Sequence, residues 1–271
     1  MHLDKYLRIL VQQNKRFVAM CEEFSRPHSP DSKVGFDRRV VRVITPGTLI
    51  DEPFLNQYEN NYLLAISSTV WRSSADFTLE NPLGLAWIDI STGEFFTNGT
   101  TYQSLRDELV RIAPREVVID KALQMDAAHP IRQTLSDEGS CVSYISPPES
   151  TFLGSALNGT ADSGDMIHNT LVSAFTLQET SAVKLLTTFL HANLLEHMPQ
   201  LPVPRREPTE GRMQIDAHTI NALEIREGIR EGGTTGSLLS VIKRTMTTSG
   251  TRLLSRWLCM NLPTYHSSIV R

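Results

Sequence analysis

The stretch Gly84-Leu-Ala-Trp-Ile-Asp-Ile-Ser-Thr-Gly-Glu-Phe-Phe96 constrains this chain more than any other. From Leu85 to Ile90 every position but Asp89 is apolar, the composition of a strand covered on both faces. Ser91-Thr92-Gly93 supplies turn chemistry, and Glu94-Phe95-Phe96 reads as the returning arm of a hairpin. Such a hairpin needs strands beside it and helices above and below. The stretch therefore predicts the centre of an α/β domain.

Candidate neighbours lie on both sides. Arg38 to Ile44 accumulates β-branched residues and stops at Thr45-Pro46-Gly47-Thr48, Tyr62 to Ser67 is a second strand, and Val117-Val118-Ile119 is a short buried one. Tyr102, Leu105, Leu109 and Ile112 mark a helix that Pro114 ends, with Asp107 and Arg111 spaced to pair. Together these predict a mixed sheet with helical cover, preceded by a polar excursion at 51–60 and closing near Ser146-Pro147-Pro148.

Upstream, Leu3, Leu7 and Leu10, flanked by Tyr6 and Val11, predict an amphipathic helix over 3–13, and a strand follows at 17–20. Pro27 to Lys33 reads as an exposed linker. Downstream of a polar loop at 154–165, Ala182, Leu185, Leu186, Phe189, Leu190 and Leu194 form the strongest helical stripe, on a helix starting near Ile167 and ending before Pro199. Pro202 to Pro208 predicts a rigid, irregular connection. Met213 to Asp216 predicts a short strand, with Asp216 capping a helix through Leu223. Two more helices fit 238–244 and 252–260, the second with Leu253, Leu254, Trp257 and Leu258 inward.

Composition narrows the function classes. No apolar run approaches a bilayer span, and the N-terminus lacks the basic-then-apolar layout of a targeting signal, so no membrane partner is expected. Cys21, Cys141 and Cys259 are odd in number and far apart, which fits neither a disulfide framework nor a zinc knuckle and points to a reducing compartment. Residues 36–150 are strongly acidic, whereas 232–271 carry five basic side chains and no acidic one. Lys243, Arg244, Arg252 and Arg256 are therefore the candidate basic patch for weak DNA contact, against the plainer reading of a solvated helix face.

Several of these stretches, in order, resemble the MutS family of DNA mismatch-recognition ATPases. Val18-Ala19-Met20-Cys21-Glu22-Glu23 is similar to the last strand of that family's mismatch-binding domain. Arg39-Val40-Val41-Arg42-Val43-Ile44-Thr45-Pro46-Gly47-Thr48 and Gly84 to Phe96 resemble parts of its connector domain. Leu223-Glu224-Ile225, Gly232-Gly233, Leu238-Leu239-Ser240-Val241 and Thr248-Ser249-Gly250 through Leu258 resemble the start of its core. The resemblance implies a fragment in three parts: the end of a mismatch-binding domain at 1–30, an RNase-H-like connector at 36–150, and the first, mostly α-helical part of the core at 165–271. It implies a role in mismatch repair that relays conformational state, with DNA, a MutL-type repair partner and a second MutS-family subunit as partners of the whole protein. ATP and Mg2+ belong to the full-length family, and no Gly-x-x-x-x-Gly-Lys-Ser/Thr sequence occurs here. The first connector segment leans towards the mitochondrial branch, with a nuclear location as the alternative.

Candidate chemistry of the chain's own is thin. An RNase-H-type nuclease, the alternative function, would need Asp89 and Asp120 to gather magnesium with Glu94 or Glu116. Strand-ending carboxylates are common, and the structural reading is preferred. Gly232-Gly233-Thr234-Thr235-Gly236-Ser237 lacks the Lys of a phosphate loop and reads as a turn with a Ser N-cap. His191 and His197 fall about 240° apart around a helix and share no face for a metal. No catalytic, cofactor-binding or metal residue is expected.

Overall fold

A computed structural model describes residues 6–25, 36–49, 56–68, 77–147, 175–207, 215–229 and 233–259. The linker at 27–33, the loop at 154–165 and the first half of the strand expected at 213–216 lie outside these residues.

The described residues build two sheets. In the first, β1 (Val18–Ser25) and β2 (Phe36–Ile44) form an antiparallel ribbon with Val18 opposite Ile44. A π-helical segment, Arg8–Gln13, covers one end, where Leu7 and Val11 pack with Ile44 and Leu49 in a small core. Tyr6 and Leu10 stay exposed, so the apolar stripe is narrower than the spacing predicts. The sequence places β2 among the strands of the large sheet, but it pairs with β1 in a separate two-stranded sheet.

The second sheet carries β3 (Tyr62–Ser68), β4 (Pro82–Asp89), β5 (Glu94–Thr101), then α1 (Leu105–Ile112), β6 (Glu116–Asp120), α2 (Pro130–Asp137) and β7 (Val142–Ile145). There follow α3 (Leu177–Leu194), β8 (Arg205–Arg206), α4 (Ala217–Ala222), α5 (Leu238–Ile242) and α6 (Thr248–Cys259). Strand order is β7-β6-β3-β4-β5-β8. β3, β4 and β5 run antiparallel in sequence, while β6 and β7 lie parallel on one side and β8 parallel to β5 on the other. This is the mixed α/β architecture that the hairpin at 84–96 requires.

Alternation along the strands sorts the core into two layers. Leu63, Ala65, Ala86, Ile88, Phe95 and Val118 face α3, while Leu64, Ile66, Leu85, Trp87, Val117 and Ile119 face α1 and α2. A capping box sets the start of α3: Thr176 Oγ1 accepts from the Glu179 N–H, and the Glu179 carboxylate accepts from the Thr176 N–H. The helix therefore begins at Leu177, not near Ile167, and it covers the sheet rather than opening a separate unit. It lies directly against Gly84, where a side chain would overlap the backbone of Gln178. Among the described residues no helix is long and apolar enough to cross a membrane.

Candidate functional site

The carboxylates nominated for metal chemistry do not converge. Asp89 lies opposite Tyr62, the first residue of β3, and Val118 lies opposite Ala65. Asp120 is thus level with Ser67, roughly 16 Å along the strand from Asp89's end of the sheet. Each acid also has a structural task. Asp89, fully buried, accepts from the Asn61 and Ser91 N–H groups at 2.9 Å each and from Ser91 Oγ at 2.6 Å, which holds the hairpin turn. Asp120 accepts from the Ala122 N–H at 2.8 Å and caps the 3-10 turn Lys121–Met125. Glu94 accepts from the Tyr62 hydroxyl at 3.2 Å, and Glu116 accepts from Thr45, Gly47 and Ser143. Among the described residues no three His, Cys, Asp or Glu side chains are grouped to hold a metal ion.

What the fold does assemble is a junction at the β5 edge. Expected to be irregular, the Pro-flanked segment after α3 instead pairs Arg205 and Arg206 with Phe96 and Thr97, and the Glu207 N–H extends the ladder to the Thr97 carbonyl. Successive strand residues point to opposite faces, so this strap reaches both helical layers. Arg206 turns towards α3, where its Nε donates at 3.0 Å to the fully buried Glu179. Burial alone would raise the Glu179 carboxyl, but Arg206 and the Thr176 bonds hold it below the usual carboxylate range. Glu207 turns the other way, to Arg111 on α1 at 2.7 Å and Arg256 on α6 at 3.6 Å. Burial pushes the Glu207 carboxyl up, against the pull of both guanidinium groups.

Arg111 joins Glu207 to Glu108 and lies 5.6 Å from the Trp87 ring centroid. It does not pair with Asp107 as the i, i+4 spacing suggests; Asp107 accepts instead from the Ala217 N–H at 2.7 Å, at the start of α4, whose N-cap is Asp216, accepting from the Thr219 N–H as the sequence predicts. Arg226 returns the favour, donating to the carbonyls of Val110 and Arg111 at the C-terminal end of α1. One short helix thus exchanges terminal hydrogen bonds with the helical segment that follows the sheet. On the N-terminal side, Glu116 ties the start of β6 to the Thr45–Thr48 turn, with the Thr45 hydroxyl at 2.5 Å and the Gly47 N–H at 2.8 Å. Its burial raises the carboxyl despite these donors. A cleft of about 1040 Å³ lies between the two ties, lined among others by Lys15, Asn61, Arg115, Cys141 and Arg226.

Three of the four basic residues nominated for DNA contact meet residues of the sheet domain or the segment before it. Arg256 donates to Glu94 at 3.3 Å and sits 4.2 Å from the Phe96 ring centroid. Arg252 donates to the Gln57 carbonyl at 2.9 Å, Lys243 lies 4.1 Å from the Tyr58 ring centroid, and Arg244 is exposed. Ser237 caps α5 by accepting from the Ser240 N–H, the role the turn chemistry predicts. Sequence reasoning missed Glu207, Arg206, Arg226 and Glu179. For Arg206 and Glu207 the signal was the charged run Arg-Arg-Glu between prolines, and for Glu179 it was the Thr176-x-x-Glu179 spacing of a capping box.

Comparison with known proteins matches residues 1–53 to MutS domain I, 61–202 to MutS domain II and 218–263 to MutS domain III. The chain is 32% identical over 260 residues to the DNA mismatch repair protein MutS of Granulibacter bethesdensis, covering 94% of this chain and 25% of that protein. It is 34% identical over 263 residues to the protein of the same name from Cereibacter sphaeroides ATCC 17025, covering 93% and 27%. Against that of Rhodopseudomonas palustris BisB18 it is 32% identical over 271 residues, covering 96% and 28%. The chain spans about a quarter of the length of these relatives.

Proposed function

The chain belongs to the MutS family, and from that premise we propose that it is the coupling stretch of a DNA mismatch repair protein. Its task is to transmit position between the segment before the sheet and the helices after it. The observation that carries this reading is α1, whose two ends trade hydrogen bonds with α4 and Arg226 while its Arg111 meets the strap. Through the whole protein, the partners are DNA, a second MutS-family subunit and a MutL-type repair protein. ATP and Mg2+ act elsewhere in such a protein, and this stretch has no catalytic step of its own. The pairing of β2 with β1 supports a first domain that runs past Ile44, ahead of the sheet domain. Mitochondrial residence, with the nucleus as the alternative, belongs to the same proposal and rests on the wording of residues 39–48.

A chimera tests it: this stretch replaces the matched quarter of the Cereibacter sphaeroides protein, in cells lacking their own copy. The expected result is a mutation frequency well below that of the deletion strain, lost with Arg111→Met at equal protein level. A folded chimera without repair overturns the reading. The nuclease reading would instead be favoured by Mg2+-dependent cutting of heteroduplex DNA that disappears with Asp89→Asn. The placement of Asp89 and Asp120 at opposite ends of the sheet argues against that outcome.

A further inference from the structure

Helix α2 begins on a histidine. His129 is fully buried, and its Nδ1 accepts from the Ile131 N–H at 3.3 Å, in the place that a Ser, Asn or Asp side chain fills at many helix starts. Pro130 has no N–H, so Ile131 is the first residue of α2 that needs an acceptor, and the imidazole supplies it. The ring is packed as well as bonded. Phe77 meets it edge-on with centroids 4.8 Å apart, and Tyr102 meets Phe77 in the same manner at 5.0 Å. The Tyr102 hydroxyl reaches Thr134 Oγ1 at 3.1 Å, one turn into α2. From the same first turn Arg132 donates to the Leu123 and Gln124 carbonyls, at 3.2 and 2.9 Å. The start of α2 therefore also holds the 3-10 turn Lys121–Met125.

We propose that His129 is a proton-operated cap, holding the first turn of α2 and the turn at 121–125 only while its ring is neutral. A neutral imidazole that accepts at Nδ1 carries its proton on Nε2. A second proton goes onto Nδ1 and takes the lone pair that Ile131 uses. It also sets a positive charge at the positive end of the helix dipole. Both effects loosen the same turn. Asp126 is the charged group that acts on the ring, and it favours the protonated form. Its own Oδ1 accepts from the Ala128 N–H, and its carbonyl from the His129 N–H. Phe77 and Tyr102 bring no charge, and the Arg132 guanidinium is engaged with the two carbonyls of the 3-10 turn. Burial outweighs Asp126 and holds the imidazole below the ordinary histidine range. A group lowered in this way lends stability that is complete above about 6.5 and is lost as pH falls through the folded value. The device concerns α2 alone and stands whether or not the coupling role holds.

NMR of the ring nitrogens, with hydrogen exchange over a pH series, tests it on the chain. At neutral pH His129 should show a bare Nδ1 and a protonated Nε2. As the ring titrates, exchange of amides 131–135, corrected for its intrinsic pH dependence, should rise about fivefold, the equilibrium worth of one N-cap. Amides of 62–68 and 85–89 should keep their protection over the same range. His129→Asn supplies an acceptor that does not titrate, so 131–135 should stay protected throughout. His129→Leu should show the raised exchange at every pH. A proton on Nδ1 at neutral pH, or wild-type exchange that follows the Asn variant across the whole series, would overturn the proposal. If neither variant folds, the wild type decides: a ring that titrates without change in 131–135 counts against the cap.

Discussion

The backbone carbonyl of Gln178 occupies the space that a Cβ on Gly84 would need. Helix α3 therefore rests directly on the backbone of β4, and the hairpin's first residue is fixed as glycine by packing rather than by turn geometry. Gly84→Ala should push α3 off the sheet and cost about 3 kcal/mol. Urea unfolding followed by far-UV circular dichroism would measure it, and a loss below about 1 kcal/mol would show that α3 is less tightly seated.

Arg111 stands between two carboxylates, Glu108 and Glu207, in a setting where it is 14% exposed. Removing it as Arg111→Met should cost about 3 kcal/mol, because both acids are left without their main cation. Pairing it with Glu207→Gln should recover at least about 1 kcal/mol in a double-mutant cycle. Additive losses would mean that the two side chains do not act on one another.

Glu116 gives a pH signature. Its carboxyl is raised by burial in the folded chain, so the folded state holds its proton more tightly than the unfolded one does. The stability this contributes is complete below the ordinary carboxylate range, about 4.3, and is lost as pH rises through the folded value. Glu116→Gln has no such ionisation. Wild type should therefore lose ground to the variant across that window, with the gap constant above it. Glu116→Leu should be destabilised at every pH by about 2 kcal/mol, because the buried Gly47 N–H and its neighbouring hydroxyls lose their acceptor. Thermal melts in a pH series would read both.

Glu179 carries the opposite sign. Its carboxyl is held below the ordinary range, so its contribution is present above about 4.3 and disappears as pH falls through the lowered value. Arg206→Met should shrink that acid-side loss and cost about 1–2 kcal/mol at neutral pH, the arginine being half exposed. An unchanged acid limb would show that the Thr176 cap alone sets Glu179.

Much of the fold was legible because it is written in local pattern. The apolar run at 85–90 placed the central hairpin, and the stripe from Ala182 to Leu194 placed α3. The failures share one cause, contacts between residues far apart in sequence. The spacing of Asp107 and Arg111 was right for a helix pair, yet partners from α4 and the strap outcompeted it. Prolines at 202, 204 and 208 argued against a strand, but two residues between them sufficed for an edge. For α6 the expected inward face is half right: Leu254 and Leu258 are partly buried, with Leu258 beside Ile220, Ile225 and Cys259, while Leu253 and Trp257 stay exposed. The Arg-Arg-Glu run shows the charge of Glu207 but not its role, because that depends on which arginines the fold brings to it.

The strap at β8 also guards its own alignment. A shift of one residue in one direction would bring the Glu207 carboxylate up against Glu179. The opposite shift would drive Arg206 in among Arg111 and Arg256. Either error sets like charges together in partly dehydrated surroundings, so two residues too few to specify a pairing by shape are held in step by sign.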